Sequence, residues 1–187
     1  MRKVSSWLFM SLDGVVEAPN EWQFDVMDDD MIAAITSQTE AEDAMLMGRV
    51  TYQAWLPFWP TSTDEPYASH INNLPKYVVS TTLDHVEWGK WEKPTLIKGN
   101  LPGEIAKLKK QSGKNIGVSG SPTLVRSLLK DGLLDELTLM VHPVLVGHGK
   151  HFFHDGDLQR LKLVDSKVTG TGVMILTYQP AQNENEK

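Results

Sequence analysis

Short apolar runs alternate along the chain with segments whose apolar residues recur at helical spacing. Five of the apolar runs are short enough to be buried strands: 4–10, 44–47, 77–79, 95–97 and 116–119. In the segments between and after them, apolar residues three and four positions apart predict helices, most clearly over 101–110 and 122–130. Gly132 follows the second of these helices at a position where helices commonly end.

The pattern changes near the C-terminus, where three strands are predicted in succession. A long apolar run over 137–146 predicts a strand buried on both faces, and the segments 161–167 and 173–178, joined by a Gly-Thr-Gly turn, predict a hairpin. The sequence therefore predicts an α/β fold with a mostly parallel sheet of about eight strands, covered by helices on both faces and closed by an antiparallel C-terminal hairpin. We expect a single domain over 1–180 and a disordered tail over 181–187.

Composition narrows the classes of protein to which the chain can belong. At 187 residues and 41% hydrophobic content, the chain is long enough for one domain with a substantial core. The absence of cysteine excludes disulfides, thiolate metal sites and cysteine nucleophiles, and favours a cytoplasmic protein. A net charge of −6, with no basic run longer than Lys109-Lys110, argues against nucleic acid or an anionic membrane as a partner.

Two strand–glycine–helix junctions carry the first functional signal. In the turn Ser119-Gly120-Ser121-Pro122, glycine allows close approach of the backbone to a ligand, and proline at the first helical position leaves neighbouring N–H groups free for an anion. At the second junction, Gly48-Arg49-Val50-Thr51, an arginine occupies a first helical turn, where the helix dipole disfavours a cation unless the cation holds an anion.

These junctions and the hydroxyl cluster Ser80-Thr81-Thr82, which follows another strand, fall at the carboxyl edge of the predicted sheet. Together they predict a nucleotide with a diphosphate and an additional phosphate. The sequence has neither the G-x-G-x-x-G fingerprint of dinucleotide-binding Rossmann folds nor a Walker-type phosphate loop, which argues against both of those nucleotide-binding folds.

A histidine-rich segment invites a test for a metal site. His148, His151 and His154 recur every third residue, and Asp155 and Asp157 follow them. Spacing of three would place the imidazoles on one side of a helix, but the glycines of this segment oppose helix formation. We therefore predict no metal site.

The motifs resemble a known family. M-L-M-G-R-V-T-Y is similar to the G-R-x-T junction of dihydrofolate reductases. S-L-D-G, G-V-S-G-S-P-T-L-V-R-S-L-L and G-L-L-D-E-L-T-L-M-V-H-P-V-L-V-G-H-G resemble the C-terminal reductase domain of bifunctional riboflavin-biosynthesis deaminase/reductase proteins. This resemblance spans nearly the whole chain, and it implies a three-layer αβα dihydrofolate-reductase-like fold that binds NADPH.

The resemblance also assigns individual residues to the cofactor. Phe9 and Val16 would flank the nicotinamide, and the hydroxyls of 80–82 (Ser80, Thr81 and Thr82) would lie near the adenosine phosphate. The residues that match the phosphate-binding junctions are Gly48, Arg49, Thr51, Ser119, Gly120, Ser121, Thr123 and Leu124. Trp22 and Phe24, in a loop that resembles a lid, and Trp55 are predicted to line the substrate pocket, with packing in the interior as the alternative.

The sequence departs from both better-known groups. The helical position that carries an acid in folate reductases is occupied by Ile32, and the chain lacks the deaminase domain of the riboflavin proteins. The expected function is thus hydride transfer from NADPH to a small heterocyclic, carbonyl or imine substrate, by a homodimer like the riboflavin reductases. The alternative is a regulatory nucleotide-binding protein without turnover.

Asp13, between the first strand and Gly14, is the candidate catalytic acid. The alternative is that its carboxylate merely caps the turn. Because asparagine has the same size and can keep most turn hydrogen bonds, an Asp13→Asn change is predicted to lower turnover while leaving cofactor affinity and stability nearly unchanged.

Overall fold

Strands and helices alternate along the chain in the order expected from the sequence. The computed structural model describes residues 1–154, 156 and 158–181. Its strands are β1 Val4–Ser11, β2 Glu42–Gly48, β3 Lys76–Val79, β4 Thr95–Ile97, β5 Asn115–Val118, β6 Glu136–His142, β7 Leu161–Val168 and β8 Met174–Pro180. Its α-helices are α1 Asp29–Glu40, α2 Arg49–Trp55, α3 Tyr67–Asn73, α4 Leu101–Lys110 and α5 Pro122–Lys130.

The strands form one eight-stranded sheet in the order β4-β3-β2-β5-β1-β6-β8-β7. All neighbours from β4 to β6 pair in parallel, whereas β8 pairs antiparallel with both β6 and β7. The predicted fold class, with its antiparallel C-terminal hairpin, is confirmed. Because the six parallel strands all end at one edge, the junctions after β2, β3 and β5 are brought together there.

Alternation along the central strands divides the core between the two faces of the sheet. Ala44 and Leu46 pack with residues of α4 and α5, whereas Met45 and Met47 pack with residues of α2 and α3. A third apolar cluster packs α1 against Met140 of β6. Met140 lies on the face of the sheet opposite to Leu139 and Val141, which pack with α4 and α5. Helices therefore cover both faces, which gives the three layers expected.

The strand predicted over 137–146 is shorter than expected. β6 ends at His142, because Pro143 has no N–H to continue the ladder. The residues that follow turn away from the sheet and bond to the end of β1, where the N–H of Leu12 donates to the carbonyl of Val144 at 2.9 Å. This correction matters for the site, because it sends the segment after β6 back over the loop that follows β1.

An acidic run, Asp28-Asp29-Asp30, lies at the beginning of α1. Asp28 is the N-cap residue, and its carboxylate accepts a hydrogen bond from the N–H of Met31 at 2.9 Å. The same side chain accepts from the N–H of Thr171, at the tip of the β7–β8 hairpin, at 3.0 Å. One carboxylate thus joins α1 to the C-terminal hairpin.

No helix in the described part of the chain combines the length and the apolar character needed to cross a membrane. This finding does not test the cytoplasmic location expected from the absence of cysteine, which stays a prediction. Most of the predicted C-terminal tail, residues 182–187, lies outside the described residues.

Candidate functional site

A cleft of about 670 Å³ opens on the face of the sheet that α1 and α3 cover. It runs from the carboxyl edge of the sheet, at the turn after β5, across Met45 to the beginning of β2. Its walls are largely aromatic and aliphatic. Lining residues include Trp7, Phe9, Val16, Phe24, Ile35, Glu42, Met45, Thr51, Trp55, Phe58, Trp59, Tyr67, Ile71, Ser119 and Gly120.

The two glycine junctions predicted to hold phosphates touch each other at one end of this cleft. The N–H of Gly48 donates to the carbonyl of Gly120 at 2.8 Å. A Cβ atom on Gly48 would lie 2.8 Å from the Ser121 hydroxyl oxygen, and one on Gly120 would lie 2.9 Å from the Thr51 hydroxyl oxygen. Both positions therefore need glycine for space, and Gly120 also has a φ of +107°, which side chains other than glycine rarely adopt.

Arg49 and the hydroxyl residues 80–82, also predicted at the phosphates, are not among the residues that line the cleft. Arg49 is exposed, and its guanidinium donates to the Gln53 side chain at 3.0 Å. Ser80 is buried, and its hydroxyl accepts from the N–H groups of Thr82 and Leu83, so this hydroxyl closes its own turn. The side chains of Thr81 and Thr82 are exposed at the same sheet edge.

Thr123 and Leu124, the last two residues predicted at the phosphates, lie at the beginning of α5 and face away from the cleft. Leu124 is buried in the core beside Gly48, and the exposed Thr123 lies at a separate groove of about 340 Å³ with Arg126. Neither residue lines the main cleft.

The predicted nicotinamide and pocket residues divide in a similar way. Phe9 and Val16 both line the cleft, as do Phe24 and Trp55. Trp22 is not among the lining residues. Its ring packs edge-on against His142 with centroids 5.3 Å apart, and its indole N–H donates to a backbone carbonyl of the same loop.

Asp13 lies outside the lining of the cleft, and its carboxylate is fully engaged. One oxygen accepts from the Ser11 hydroxyl at 2.6 Å and from the N–H of Val146 at 3.1 Å, and the other accepts from the N–H of Gly147 at 2.8 Å. The bonds from Ser11, Gly147 and Val146 lower the pKa of Asp13 to about 2. These contacts favour the turn interpretation, and the catalytic role stays a prediction.

The turn that Asp13 holds also supports one wall of the cleft. Val16 lines the cleft, and its N–H donates to the carbonyl of Lys150 at 2.9 Å, while Val15 pairs with His151. Asp13 anchors the nearby segment at Val146 and Gly147. The loop after β1 and the segment after β6 are therefore joined by hydrogen bonds at two places, at Asp13 and at residues 15–16.

A buried histidine, not singled out from the sequence, lies behind the same wall. The ring of His142 contacts Phe9 edge-on at 5.5 Å, and its Nδ1 lies 2.9 Å from the carbonyl of Met140. Since a carbonyl only accepts, Nδ1 carries the proton, and Nε2 has no partner within the described part of the chain. Burial lowers the pKa of His142, so the imidazole is neutral at neutral pH.

Sequence reasoning also missed the polar residues at the far end of the cleft, above all Glu42. Its position at the start of a strand, remote from the carboxyl edge, carries no local signal of a binding role. Only the packing of α1 and α3 over the sheet brings it to the cleft.

The histidine-rich segment does not form a cluster in the part of the chain that is described. The Nδ1 of His148 lies 2.9 Å from the carbonyl of Val146, and His151 pairs through its backbone with Val15. No three His, Asp or Glu side chains among the described residues could hold a metal ion together. Asp155 and Asp157 lie outside the described residues.

Comparison with known proteins places this arrangement in a family. The profile of the RibD C-terminal domain matches residues 2–175. The uncharacterized protein YyaP of Bacillus subtilis is 31% identical over 183 residues, which cover 95% of this chain and 94% of that protein.

Two solved structures show the same architecture. One is a protein from Shewanella sp. PV-4 provisionally assigned to riboflavin biosynthesis, with a TM-score of 0.78, 25% identity and coverage of 96% of this chain and 99% of that chain. The other is the dihydrofolate reductase of Enterococcus faecalis in complex with NADP(H), with a TM-score of 0.60, 13% identity and coverage of 96% and 97%. By the extent of the profile match and by its identity to YyaP, the chain belongs to the RibD C-terminal domain family, on a dihydrofolate-reductase-like fold.

Proposed function

We propose that this protein is an NADPH-dependent reductase that transfers hydride to a small substrate bound in the cleft. The observation that carries the proposal is the continuity of the cleft, which joins the contact between the two glycine junctions to the apolar walls formed by Phe9 and Val16. Family membership and a shared fold with an NADP(H)-bound reductase support it. The cofactor supplies the hydride, and the protein supplies orientation and exclusion of water.

The residues present fit a dinucleotide. The close contact between the two junctions leaves no room for a side chain at Gly48 or Gly120, so the turn at Gly120 presents bare backbone to the cleft, where a pyrophosphate can approach it. Phe9 and Val16 offer apolar surfaces for the nicotinamide ring. Arg49 and the exposed hydroxyls of Thr81 and Thr82, at the same edge of the sheet, are assigned to the phosphate of the adenosine moiety.

The assignment of Arg49 predicts a preference between cofactors. Wild-type protein should bind NADPH at least about tenfold more tightly than NADH, because a charge-assisted bond to the extra phosphate contributes roughly 1.5–3 kcal/mol. Arg49→Ala should remove most of this preference while leaving NADH affinity unchanged. Calorimetric titration of both cofactors measures it. The exposed Arg160 offers a matched control, Arg160→Ala, and equal affinities of the wild type for NADPH and NADH would remove the argument for Arg49.

Turnover is tested separately from binding. Loss of NADPH absorbance in the presence of a panel of carbonyl, imine and pterin compounds would establish the reaction and its substrate class. Tight NADPH binding without turnover of any compound would instead favour the regulatory nucleotide-binding protein.

We further propose that two copies of the chain pair along the edge strand β7. This strand is exposed over nearly its whole length and presents Leu163, Val164 and Val168 to solvent. Because an exposed sheet edge with apolar side chains tends to pair with another strand, we expect a second copy to cover it. Light scattering should give a mass of about twice 21.0 kDa at micromolar concentration. Val168→Lys should shift the mass towards the monomer, whereas Leu145→Lys, at an equally exposed apolar residue outside β7, should not.

The opposing interpretation is a monomer whose edge is protected by charge. Lys162, Asp165 and Lys167 all lie on β7, and Lys167 forms an ion pair of 2.7 Å with Asp30. A mass near 21.0 kDa for the wild type would establish the monomer.

A further inference from the structure

A buried carboxylate faces the far end of the cleft. The side chain of Glu42 is only 6% exposed, yet it lines the cleft among the apolar residues Met45, Ile35 and Ile71. Burial of an ionised carboxylate is costly unless partners compensate for the lost water. An acid at this position therefore needs a reason beyond packing.

Two backbone features direct this carboxylate into the cleft. A register shift between Glu42 and Ala44 interrupts the pairing of β2 with β5, and such bulges re-aim side chains. On β5, Gly117 leaves the space that the carboxylate occupies, since a Cβ atom there would lie 1.5 Å from the Glu42 Oε2 atom. Glycine weakens the interior of a strand, so its position under a carboxylate indicates a built site.

The protein satisfies only part of this carboxylate. Oε1 lies 2.9 Å from Nε2 of His70, on α3. Oε2 has no hydrogen bond to any described residue, although a carboxylate can accept about four. Because Oε2 of a carboxylate can only accept hydrogen bonds, a ligand group that binds to it must be a hydrogen-bond donor.

The charges around the cleft point in the same direction. Glu42 and Asp64 are both acids, and no lysine or arginine is among the described residues that line the cleft. An anionic substrate group would meet uncompensated repulsion here, whereas a cationic or N–H-rich group would be attracted.

We propose that Glu42, oriented by His70 and given room by Gly117, is a substrate-binding residue, and that the part of the substrate beside it carries N–H donors. An amine, an amidine or an amino-substituted heterocycle has this chemistry. The flat aromatic walls contributed by Trp7 and Tyr67 suit the ring of such a compound. This assignment rests on the proposed reductase function, since it names the class of substrate for the same cleft.

Benzamidine and benzamide are suitable probes, because they share a ring and a shape but differ in charge and in N–H donors. Wild-type protein should bind benzamidine at least about tenfold more tightly than benzamide, as expected for a bond between charged partners. Titrations followed by tryptophan fluorescence or calorimetry measure both affinities. Equal affinities for the two probes would overturn the proposal.

Three variants locate the effect. Glu42→Gln, which keeps the shape and removes the charge, should lose the preference for benzamidine, and Gly117→Ala should lose it by displacing the carboxylate. Glu40→Gln, at an exposed acid two positions away, should keep it. A preference that survives in folded Glu42→Gln protein would overturn the proposal. If that variant fails to fold, Gly117→Ala and the two wild-type titrations decide.

The same protein samples separate this proposal from the reductase function. NADPH affinity of Glu42→Gln should match that of the wild type, because Glu42 lies at the opposite end of the cleft from the glycine junctions. A wild type that prefers benzamidine but does not bind NADPH would refute the reductase and leave the subsite standing. NADPH binding without the benzamidine preference would refute the subsite alone.

Discussion

Replacement of Asp13 by asparagine is expected to lower the melting temperature and to reduce NADPH-dependent turnover at least about tenfold. Both carboxylate oxygens of Asp13 accept hydrogen bonds, from Ser11 and Val146 on one side and from Gly147 on the other. Asparagine has only one accepting oxygen, so at least one backbone N–H loses its partner. The structure therefore predicts a loss of stability, in contrast to the expectation from the sequence. Turnover is expected to fall because Val16, on the wall that we propose for the nicotinamide, is held by the same two segments.

The contribution of Asp13 to stability should depend on pH in a defined direction. The hydrogen bonds lower the pKa of this carboxyl from 3.8 to about 2 in the folded protein. A group with a lowered folded pKa stabilises the protein above its unfolded pKa and loses that contribution as the pH falls through the folded value. The difference in melting temperature between the wild type and Asp13→Asn should be constant above about pH 5 and should shrink between pH 4 and 2.

Asp25→Asn is the matched control, because Asp25 is an exposed acid in a single 3₁₀ turn before α1. It should change neither melting temperature nor turnover. An Asp13→Asn protein with wild-type stability and greatly reduced turnover would contradict the structural role and return Asp13 to the role of proton donor, where general acid catalysis contributes about 10²–10⁴-fold.

Gly48→Ala is expected to weaken NADPH binding by about tenfold to a hundredfold. Gly48 has an ordinary φ of −79°, so alanine can adopt its backbone conformation. The added Cβ atom would nevertheless lie 2.8 Å from the Ser121 hydroxyl oxygen and 3.2 Å from the Ser121 nitrogen. Overpacking of this kind costs roughly 1–3 kcal/mol, and every 1.4 kcal/mol, approximately, corresponds to a tenfold change in affinity. Rotation of the Ser121 side chain can relieve the first contact, but the second contact is with backbone, so the two junctions are expected to move apart slightly and to disturb the bond from Gly48 to Gly120.

Gly99→Ala provides the control, since a Cβ atom at that position would meet nothing within 4 Å. Calorimetric titration with NADPH should give wild-type affinity for this variant. Wild-type affinity in a folded Gly48→Ala protein would show that the contact between the junctions does not shape the cofactor site.

Local sequence patterns predicted the elements of this fold well because each pattern reflects the environment of a single segment. The apolar stripe of α5 and the short apolar runs of β2 and β5 occur where the periodicity placed them. The end of β6 was misplaced, because apolar character continues past His142 while Pro143 interrupts the ladder.

At the site, the sequence alone was enough to predict which junctions between strands and helices meet at the edge of the sheet. Glycine junctions at Gly48 and Gly120 can be predicted because a parallel sheet gathers the ends of its strands at one edge. The aromatic residues Phe24 and Trp55, predicted to line a substrate pocket, lie at the cleft, and their role in binding a substrate stays a prediction.

Only the tertiary structure decided the contacts between residues far apart in sequence. The bonds from Val146 and Gly147 to Asp13 cross more than a hundred residues, and local pattern carries no information about such partners. The same is true of Glu42, which depends on a bulge in its own strand, on a glycine in β5 and on a histidine in α3. Periodicity records which face of an element is buried, whereas the side chains that meet across that face are selected by strand order and helix packing.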